Sequence, residues 1–411
     1  MRGTEVPSLD RGGPESLSYP GYGNEWLDRP VIQRFEHCAR QKPDAIAIRD
    51  RQGCLSYREL LSECWRIASY IDRETPPGSP IAIALPVDRH YPVAMLSALA
   101  AGRPYVPLDL SHPPERLRHI LTHSGAEYVL TDTAQSTMVA QWLPSTTKLL
   151  LRDIQHRTKI STGWLPPASA GDVAYIIYTS GSSGIPKGVY QNQRGLSHDV
   201  MQYTRSIHLR PDDILTGIYS PSVNGAIRDV FGALLNGATL LLFNLRSEGL
   251  GYVAEALKLH SATILHAMPP VMRSLLRALE GPTSLASVRM IYLAGDKLFS
   301  SDLLEIRKYL RPDASVYVGI GSTECATLYR QWFVPKDFTP SGPLVPSGRP
   351  VPDRIVEILE PGGKPVAPGE TGQIVVSSPF IALGYWRDEI RTNAQFSGDP
   401  ARAGWSRFAT G

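Results

Sequence analysis

The chain is 411 residues long, more than one hydrophobic core normally supports, so we expect two or more packed subdomains. Hydrophobic residues make up 42% and charged residues 20% of the composition, as in an ordinary globular protein, and a formal net charge of +3 does not indicate a nucleic acid partner. No apolar run approaches the roughly 18 residues that cross a bilayer, so we expect no membrane partner.

The first predicted segment is a flexible leader. Residues 1–30 are rich in glycine, proline and serine and contain few aliphatic residues that could build a core. The four cysteines beyond it are scattered without metal-ligand spacing, and no cleavable apolar leader precedes them. This pattern favours a reducing, cytoplasmic setting.

A repeated alternation of strands and helices follows from Val31 onward. The strand-like IAIALP (81–86) precedes the apolar helical pattern PVAMLSALAAG, and similar pairs return after Asp172. Such alternation is typical of parallel sheets covered by helices. We therefore expect an α/β fold of two similar lobes with mainly parallel sheets within residues 31–348.

The last part of the chain has a different pattern. Beyond Arg349 the helical periodicity gives way to the strand-like runs RIVEILE and GQIVVSS, separated by the turn-forming PGGKPVAPGE. This predicts a small β-rich subdomain over residues 349–411.

The sharpest local signal is YTSGSSGIPKG (178–188), directly after the strand-like VAYII. Glycines let the backbone approach an anion, hydroxyl groups donate hydrogen bonds, and a lysine supplies positive charge. The pattern predicts a phosphate-binding loop, but its spacing is not that of Walker A, and a Ser/Gly surface turn is the alternative. The candidate phosphate-binding residues are Thr179, Ser180, Gly181, Ser182, Ser183, Gly184 and Lys187.

This loop closely resembles the signature loop of the AMP-forming adenylation family, which includes peptide synthetase adenylation domains, acyl-CoA synthetases and luciferases. LSYREL (55–60), AGRPYVPLDLSHPPERL (101–117), GIGSTECAT (319–327) and GETGQIVVSSPFIALGYW (369–386) resemble further family motifs in the expected order. PYVPLD followed by Pro-x-x-Arg-Leu is more typical of the nonribosomal peptide synthetase branch. The resemblance implies ATP-dependent activation of a carboxylic acid as acyl-AMP, with release of pyrophosphate.

The same resemblance implies ATP and Mg²⁺ as cofactors and assigns nucleotide-site residues. Lys187, Thr323 and Glu324 would be catalytic, with Thr323 near the phosphates and Glu324 holding Mg²⁺. Ile320 stands where the family usually has an aromatic residue stacked on adenine, and Ser322 stands where proline is common. The nucleotide would therefore contact Gly319, Ile320, Gly321, Ser322 and Thr323.

The acyl pocket is assigned by the same resemblance. Asn224 takes the place of an aspartate that pairs with the substrate α-ammonium group, and an amide cannot supply that charge, so we expect an acid without a free α-amine, such as a hydroxybenzoate-like acid. Arg228 either points inward and favours a second anionic group on the acid, or pairs with Asp229 or another acidic neighbour. The predicted pocket residues are Asn224, Gly225, Arg228, Ala267, Tyr292, Ala294, Gly319, Thr327 and Leu328.

Three functions stay open at this point. The first is adenylation followed by loading of the acid onto a phosphopantetheinyl carrier protein, with a small MbtH-like protein as a further partner. The others are a free-standing acyl- or aryl-CoA ligase and a silent nucleotide-binding scaffold. The resemblance also implies a C-terminal catalytic lobe that these 411 residues lack, so we expect this stretch of chain to be impaired by itself.

Overall fold

A computed structural model of the chain describes residues 19–142, 148–151, 166–180 and 184–410. Strands account for much of each lobe. In chain order they are β1 (Ile46–Asp50), β2 (Gly53–Ser56), β3 (Ile81–Ala84), β4 (Tyr105–Pro107), β5 (Tyr128–Thr131), β6 (Lys148–Leu151), β7 (Val173–Thr179), β8 (Lys187–Asn192), β9 (Ile214–Gly217), β10 (Thr239–Leu242), β11 (Ile264–Ala267), β12 (Met290–Ala294), β13 (Ser315–Ser322), β14 (Thr327–Val334), β15 (Arg349–Pro350), β16 (Ile355–Leu359), β17 (Gln373–Ser378), β18 (Gly384–Tyr385), β19 (Phe396–Gly398) and β20 (Ser406–Ala409).

Helices connect most of the parallel strands. They are α1 (Val31–Gln41), α2 (Tyr57–Glu74), α3 (His90–Ala100), α4 (Pro114–Ser124), α5 (Thr133–Ala140), α6 (Gln193–Ile207), α7 (Gly225–Leu234), α8 (Leu245–Leu259), α9 (Pro269–Ala278), α10 (Ser300–Arg307) and α11 (Glu389–Gln395), with short 3-10 helices at Asn24–Trp26 and Pro282–Leu285. Across the described residues, no helix has the length and apolarity needed to span a membrane.

The strands form two large sheets and one small one. The order in the nine-stranded sheet is β15-β14-β13-β12-β11-β9-β10-β1-β2, and in the seven-stranded sheet it is β18-β8-β7-β4-β3-β5-β6. The inner pairs of both sheets run parallel. Antiparallel pairs lie at both ends of the nine-stranded sheet and at the β18 end of the seven-stranded sheet. The four-stranded sheet, β16-β17-β20-β19, is antiparallel throughout. The prediction of an α/β fold with two parallel-rich lobes and a small β-rich part is confirmed.

Local sequence explains where these elements begin and end. Strand β3 is buried along its whole length, as expected for a parallel strand covered on both faces, and this is why its sequence is a continuous apolar run. Helix α2 starts with a capping box, because the Ser56 side chain accepts a bond from the Glu59 amide and the Glu59 carboxylate accepts one from the Ser56 amide. Helix α4 ends at Gly125, whose φ of 70° suits glycine.

The packed chain begins before the predicted boundary at residue 30. Tyr22 is only 1% exposed, its hydroxyl lies 2.8 Å from the Ser197 hydroxyl, and the Arg34 guanidinium lies 4.6 Å from its ring. The flexible-leader prediction is therefore wrong for residues 19–30, because an aromatic side chain anchors a segment that has few aliphatic ones. The prediction for residues 1–18 falls outside the described residues.

The final β-rich part is joined to both lobes. Strand β15 extends the nine-stranded sheet, and β18 pairs with β8 at the edge of the seven-stranded sheet. Consequently, residues near the end of the chain can reach the loops of both lobes.

Candidate active site

The predicted phosphate loop connects an antiparallel pair of strands. Thr179 ends β7 and faces Lys187, the first residue of β8, across the ladder. Gly184 has a φ of 78°, so the loop turns through a conformation that favours glycine. The Thr179 hydroxyl is buried and lacks a hydrogen-bond partner among the described residues. It is thus available to an incoming acceptor, while Gly181, Ser182 and Ser183 lie outside the described residues.

Lys187, Glu324 and Tyr385 meet at the end of this loop. The Lys187 Nζ lies 2.7 Å from Glu324 Oε1 and 2.8 Å from the Tyr385 hydroxyl, which in turn donates to Glu324 Oε1 at 3.1 Å. Burial, followed by the Glu324 carboxylate, raises the pKa of Tyr385, so its phenol stays protonated and remains a donor. The lysine and glutamate side chains are 17% and 10% exposed, which makes this a sheltered charge pair open to solvent on one side.

Backbone pairing explains why these three residues converge. Tyr385 faces Val189 in the β18–β8 ladder, two residues from Lys187. Just before β18, the amide of Ala382 donates to the carbonyl of Glu324 at 2.9 Å. The segment before Tyr385 therefore ties the seven-stranded sheet to the turn between β13 and β14.

The turn that carries Glu324 has an unusual backbone. Ala326 and Thr327 have φ values of 49° and 97°, and such strained residues cluster at functional sites. A Cβ on Gly321 would lie 1.9 Å from the Thr327 carbonyl oxygen, so only glycine permits this crossing. Burial raises the pKa of the Cys325 thiol to about 11, which makes it a poor nucleophile.

The chemistry of Glu324 fits Mg²⁺ shared with phosphates. Within the described residues, no group of three or more His, Cys, Asp or Glu side chains could hold a metal alone. Mg²⁺ is commonly held by one or two carboxylates together with substrate phosphates, which is the arrangement that a single carboxylate beside a phosphate loop allows. Thr323 and Ser322 lie on the same turn, and Ile320 is 37% exposed in front of it.

The two candidate acyl residues at the start of α7 have different environments. Asn224 is 8% exposed, and neither polar atom of its amide has a described hydrogen-bond partner. Gly225 lies against the Tyr219 ring, because a Cβ there would come within 2.9 Å of it. Asn224 is thus a buried amide that a ligand could satisfy.

Arg228 is not a free charge facing a substrate. Its Nη2 lies 2.7 Å from Asp199 Oδ1 and donates to Gln202 Oε1 at 2.6 Å, and the guanidinium is buried. The neighbouring Asp229 is instead bonded to His266 Nδ1 at 2.6 Å. Of the two alternatives for Arg228, pairing with an acidic neighbour is the one in the structure, and that neighbour lies on α6.

The remaining predicted pocket residues do not all lie on one face. Tyr292, Ala294 and Leu328 belong to the apolar cluster between the lobes, where Tyr292 stacks on His266 at 3.8 Å. Leu328 also covers Gly319, since a Cβ there would lie 2.5 Å from it. Ala267 packs in the other cluster, on the opposite side of the sheet, because side chains alternate along β11. Its assignment to the pocket is therefore not supported.

Sequence reasoning missed several polar residues of this region. Tyr385 belongs to the motif GETGQIVVSSPFIALGYW (369–386), but it lies 198 positions from Lys187. No local spacing in the sequence therefore indicates this contact. Asp199 pairs with the predicted pocket residue Arg228, 29 positions away, and His266 pairs with Asp229, 37 positions away. Such long-range pairs follow from the strand order rather than from any periodicity.

A cavity of about 540 Å³ lies beside this region, at the carboxyl ends of strands from both large sheets. Ligands of open α/β sheets bind at such ends. None of the predicted acyl-pocket residues lines this cavity. Tyr219 does line it, and the Tyr219 hydroxyl donates to the carbonyl of the predicted pocket residue Ala294 at 3.1 Å. The lining is mostly apolar; its polar members include Asp109, Ser111, Ser220, Asn244, Arg246 and Ser247.

The fold agrees with the comparison to known families. The chain belongs to the family of AMP-binding enzymes, whose model matches residues 35–386. It is 29% identical over 403 residues to pyochelin synthetase PchF of Pseudomonas aeruginosa, covering 95% of this chain and 21% of PchF. It is also 29% identical over 394 residues to tyrocidine synthase 2 of Brevibacillus parabrevis, covering 93% of this chain and 10% of that synthase.

Solved structures give the same fold. The nonribosomal peptide synthetase FmoA3 superimposes with a TM-score of 0.85 at 27% identity, over 97% of this chain and 42% of the FmoA3 chain. The N-terminal subdomain of Klebsiella oxytoca NpsA shares the fold with a TM-score of 0.79 at 22% identity, over 96% of each chain. This chain thus spans only a part of the synthetases that it matches.

Proposed function

We propose that the protein activates a carboxylic acid with ATP, forming acyl-AMP and pyrophosphate. The observation that carries this proposal is the contact of Lys187 with Glu324 and Tyr385 at the end of the phosphate loop. FmoA3 has been solved in an AMPPNP-bound form and an alpha-methyl-L-serine-AMP-bound form, at 28% and 27% identity to this chain. The proposed reaction would form an acyl-AMP, which is the type of molecule bound in the second of these structures.

In the proposed reaction, the acid carboxylate attacks the α-phosphorus of ATP and the bond to pyrophosphate breaks. Lys187 neutralises phosphate charge, and the buried Thr179 hydroxyl donates to a phosphate oxygen. Glu324 would hold Mg²⁺, which supplies further charge neutralisation when bound. Tyr385 positions both charged side chains, since it bonds to each of them. No protein nucleophile is required, and catalysis rests on positioning and charge.

The adenine would rest on Ile320. This side chain is partly exposed beside the Glu324 turn and offers an aliphatic face, without the stacking that an aromatic residue would give. Residues 31–348 form the proposed ATP- and acid-binding core. Residues 349–411 are the proposed β-rich subdomain, which contributes Tyr385 to the site.

The test of this function is acid-dependent exchange of labelled pyrophosphate into ATP by the full-length protein. The panel includes amino acids, hydroxy and keto acids, hydroxybenzoates and dicarboxylic acids. At least one acid is expected to stimulate exchange well above the acid-free rate. A protein that binds ATP but exchanges with no acid would be a nucleotide-binding scaffold instead.

Asn224→Asp is predicted to shift acid preference toward α-amino acids. Both polar atoms of the buried amide are unsatisfied, and a carboxylate there would pair with a substrate ammonium group. We expect the ratio of kcat/KM for amino acids to that for their desamino analogues to rise about tenfold or more. Asn236→Asp is a matched control, because Asn236 is also buried but bonds within α6 and α7. An unchanged ratio would remove Asn224 from the acyl site.

We further propose that the activated acid is transferred to the thiol of a phosphopantetheinyl carrier protein. The cavity beside Tyr219 supports this, because it reaches the vicinity of Asn224 and Ala294 and is lined mostly by apolar groups, as suits a slender arm. A coenzyme A thiol is the competing acceptor, and comparing the two acceptors separates a carrier-loading enzyme from a CoA ligase. The MbtH-like partner stays a prediction.

Val223→Trp is predicted to block the thiol step without blocking adenylation. Val223 is 45% exposed and lines the cavity, so a tryptophan there would fill part of it. We expect thioester formation on a carrier to fall about tenfold or more, while pyrophosphate exchange changes less than about twofold. Leu259→Trp, at an exposed position on α8 outside the cavity, is the control. Equal loss of both steps would contradict the assignment of the cavity.

A further inference from the structure

Two histidines on helix α4 contact both ends of the phosphate loop. His119 Nε2 lies 3.2 Å from the carbonyl oxygen of Pro186, and His123 Nδ1 lies 2.8 Å from the Tyr178 hydroxyl. The histidines are one helical turn apart, so they share a face of the helix, and their ring centroids are 5.6 Å apart. Helix α4 therefore holds the chain where it enters the loop, at Tyr178, and where it leaves the loop, at Pro186.

The protonation of these groups fits the two contacts. A carbonyl oxygen only accepts hydrogen bonds, so His119 Nε2 donates its hydrogen to Pro186. Burial raises the pKa of Tyr178 and lowers the pKa of His123, so near neutral pH the phenol keeps its hydrogen and the His123 ring is uncharged. An uncharged imidazole accepts such a hydrogen at Nδ1. Each histidine thus has a defined partner at one end of the loop.

Both contacts act on the backbone around Lys187. Pro186 directly precedes this lysine and is bonded to His119. On the other side of the lysine, Tyr178 faces Gly188 across the β7–β8 ladder, and a Cβ on Gly188 would lie 3.0 Å from the ring carbon Cζ of Tyr178. The tyrosine ring therefore covers Gly188 closely. The backbone of Lys187 is thus held from both sides, and each hold leads back to a histidine of α4.

Helix α4 is a firm support for these contacts. Leu117 and Leu121 are buried in an apolar cluster together with residues of β3, β4 and β5. At the end of the helix, the Trp386 indole donates to the carbonyl of Ser124 at 3.0 Å. Trp386 directly follows Tyr385, whose hydroxyl belongs to the candidate active site. The helix that carries the histidines is therefore joined to the segment that supplies this hydroxyl.

We propose that His119 and His123 are positioning residues for adenylation, because they hold Lys187 in place through the two ends of the phosphate loop. This inference rests on the proposed adenylating function. Each histidine acts through the backbone that carries the lysine, and the lysine acts on the phosphates. A reaction that depends on positioned charges is sensitive to displacements of about 1 Å. Loss of either contact should therefore lower the rate of acyl-AMP formation more than it weakens binding of the acid.

The test measures pyrophosphate exchange by the full-length protein, with the acid that stimulates it most. His119→Phe and His123→Phe keep a ring but remove the polar contact, so each is expected to lower kcat about fivefold or more, while the KM for the acid changes less than about twofold. His119→Gln keeps a nitrogen donor and His123→Asn keeps an oxygen acceptor, so each should retain about half of the kcat or more. His37→Phe, at an exposed position on α1, is the control.

Coupling to Lys187 separates a positioning role from a purely structural one. If His119 acts through the lysine, His119→Phe should cost less than about twofold in a protein that already carries Lys187→Ala. Tyr178→Phe breaks the second contact from the side of the loop but keeps the ring over Gly188. It should reproduce the loss in His123→Phe, with little further loss when the two are combined. If a histidine variant fails to fold, Tyr178→Phe decides.

Three outcomes would overturn the proposal and leave the adenylating function standing. The first is an unchanged kcat in His119→Phe, His123→Phe and Tyr178→Phe. The second is an equal loss with and without Lys187, since the histidines would then only support the fold. The third is a raised KM for the acid with an unchanged kcat. A wild-type protein that exchanges with no acid would instead overturn the adenylating function, together with this inference.

Discussion

Lys187→Ala and Glu324→Ala are each expected to lower acid-dependent pyrophosphate exchange by about a hundredfold or more. The two side chains lie 2.7 Å apart at the end of the phosphate loop, in a sheltered position where electrostatic interactions are stronger than in water. Lys187 is opposite in charge to the ATP phosphates, and Glu324 is opposite in charge to the proposed Mg²⁺. Removing either one leaves phosphate or metal charge uncompensated when that charge is redistributed in the transition state.

The two substitutions should not act independently. Once Lys187 is gone, Glu324 loses both its ion pair and one arm of the Tyr385 bridge, so the double variant should lose much less than the product of the two single losses. Tyr385→Phe keeps both charges and removes only the hydroxyl that positions them. A smaller loss, about tenfold, is expected for it.

Controls separate this effect from unfolding. Lys364→Ala removes an exposed lysine from a turn between β16 and β17 and should leave exchange unchanged. Circular dichroism and urea unfolding of each variant should show a folded chain, because the pair is partly solvated. Normal exchange rates in both Lys187→Ala and Glu324→Ala would remove these residues from the catalytic site.

The fold was predictable because its main strands are buried on both faces. The run VAYII lies within β7 (Val173–Thr179), and IAIALP (81–86) contains β3 (Ile81–Ala84). Parallel strands covered by helices have nearly continuous apolar sequences, and such sequences can be recognised without knowing which strands pair with them. Strand order could not be predicted in this way, because the pairing of β18 with β8 joins residues almost two hundred positions apart.

The site was predictable only where its residues are grouped in short motifs. Lys187 and Glu324 could be picked out because each belongs to a recognisable segment. The same reasoning weighed Asp229 as the partner of Arg228, because it is next in sequence, whereas helix geometry directs Arg228 to Asp199 on α6.

Asp199→Ala is expected to lower the free energy of unfolding by about 3–5 kcal/mol. Both partners of the Asp199–Arg228 pair are nearly inaccessible, with side chains 3% and 1% exposed, and two nitrogens of Arg228 contact the carboxylate. Removing the carboxylate leaves a buried guanidinium that keeps its bond to Gln202 but has lost its ion-pair partner, and that also lies near Arg354. Equilibrium urea unfolding of the variant measures the loss.

An exposed pair of the same type is the control. The Arg58 guanidinium lies 2.9 Å from Asp44, but these side chains are 64% and 82% exposed, so Asp44→Ala should cost less than about 1 kcal/mol. Joint replacement, Asp199→Leu with Arg228→Met, should be less destabilising than Asp199→Ala, because it leaves no buried charge behind. Should Asp199→Ala prove as mild as the control, Arg228 would not depend on Asp199. Its charge would then be available to the substrate, as the alternative prediction for Arg228 supposed.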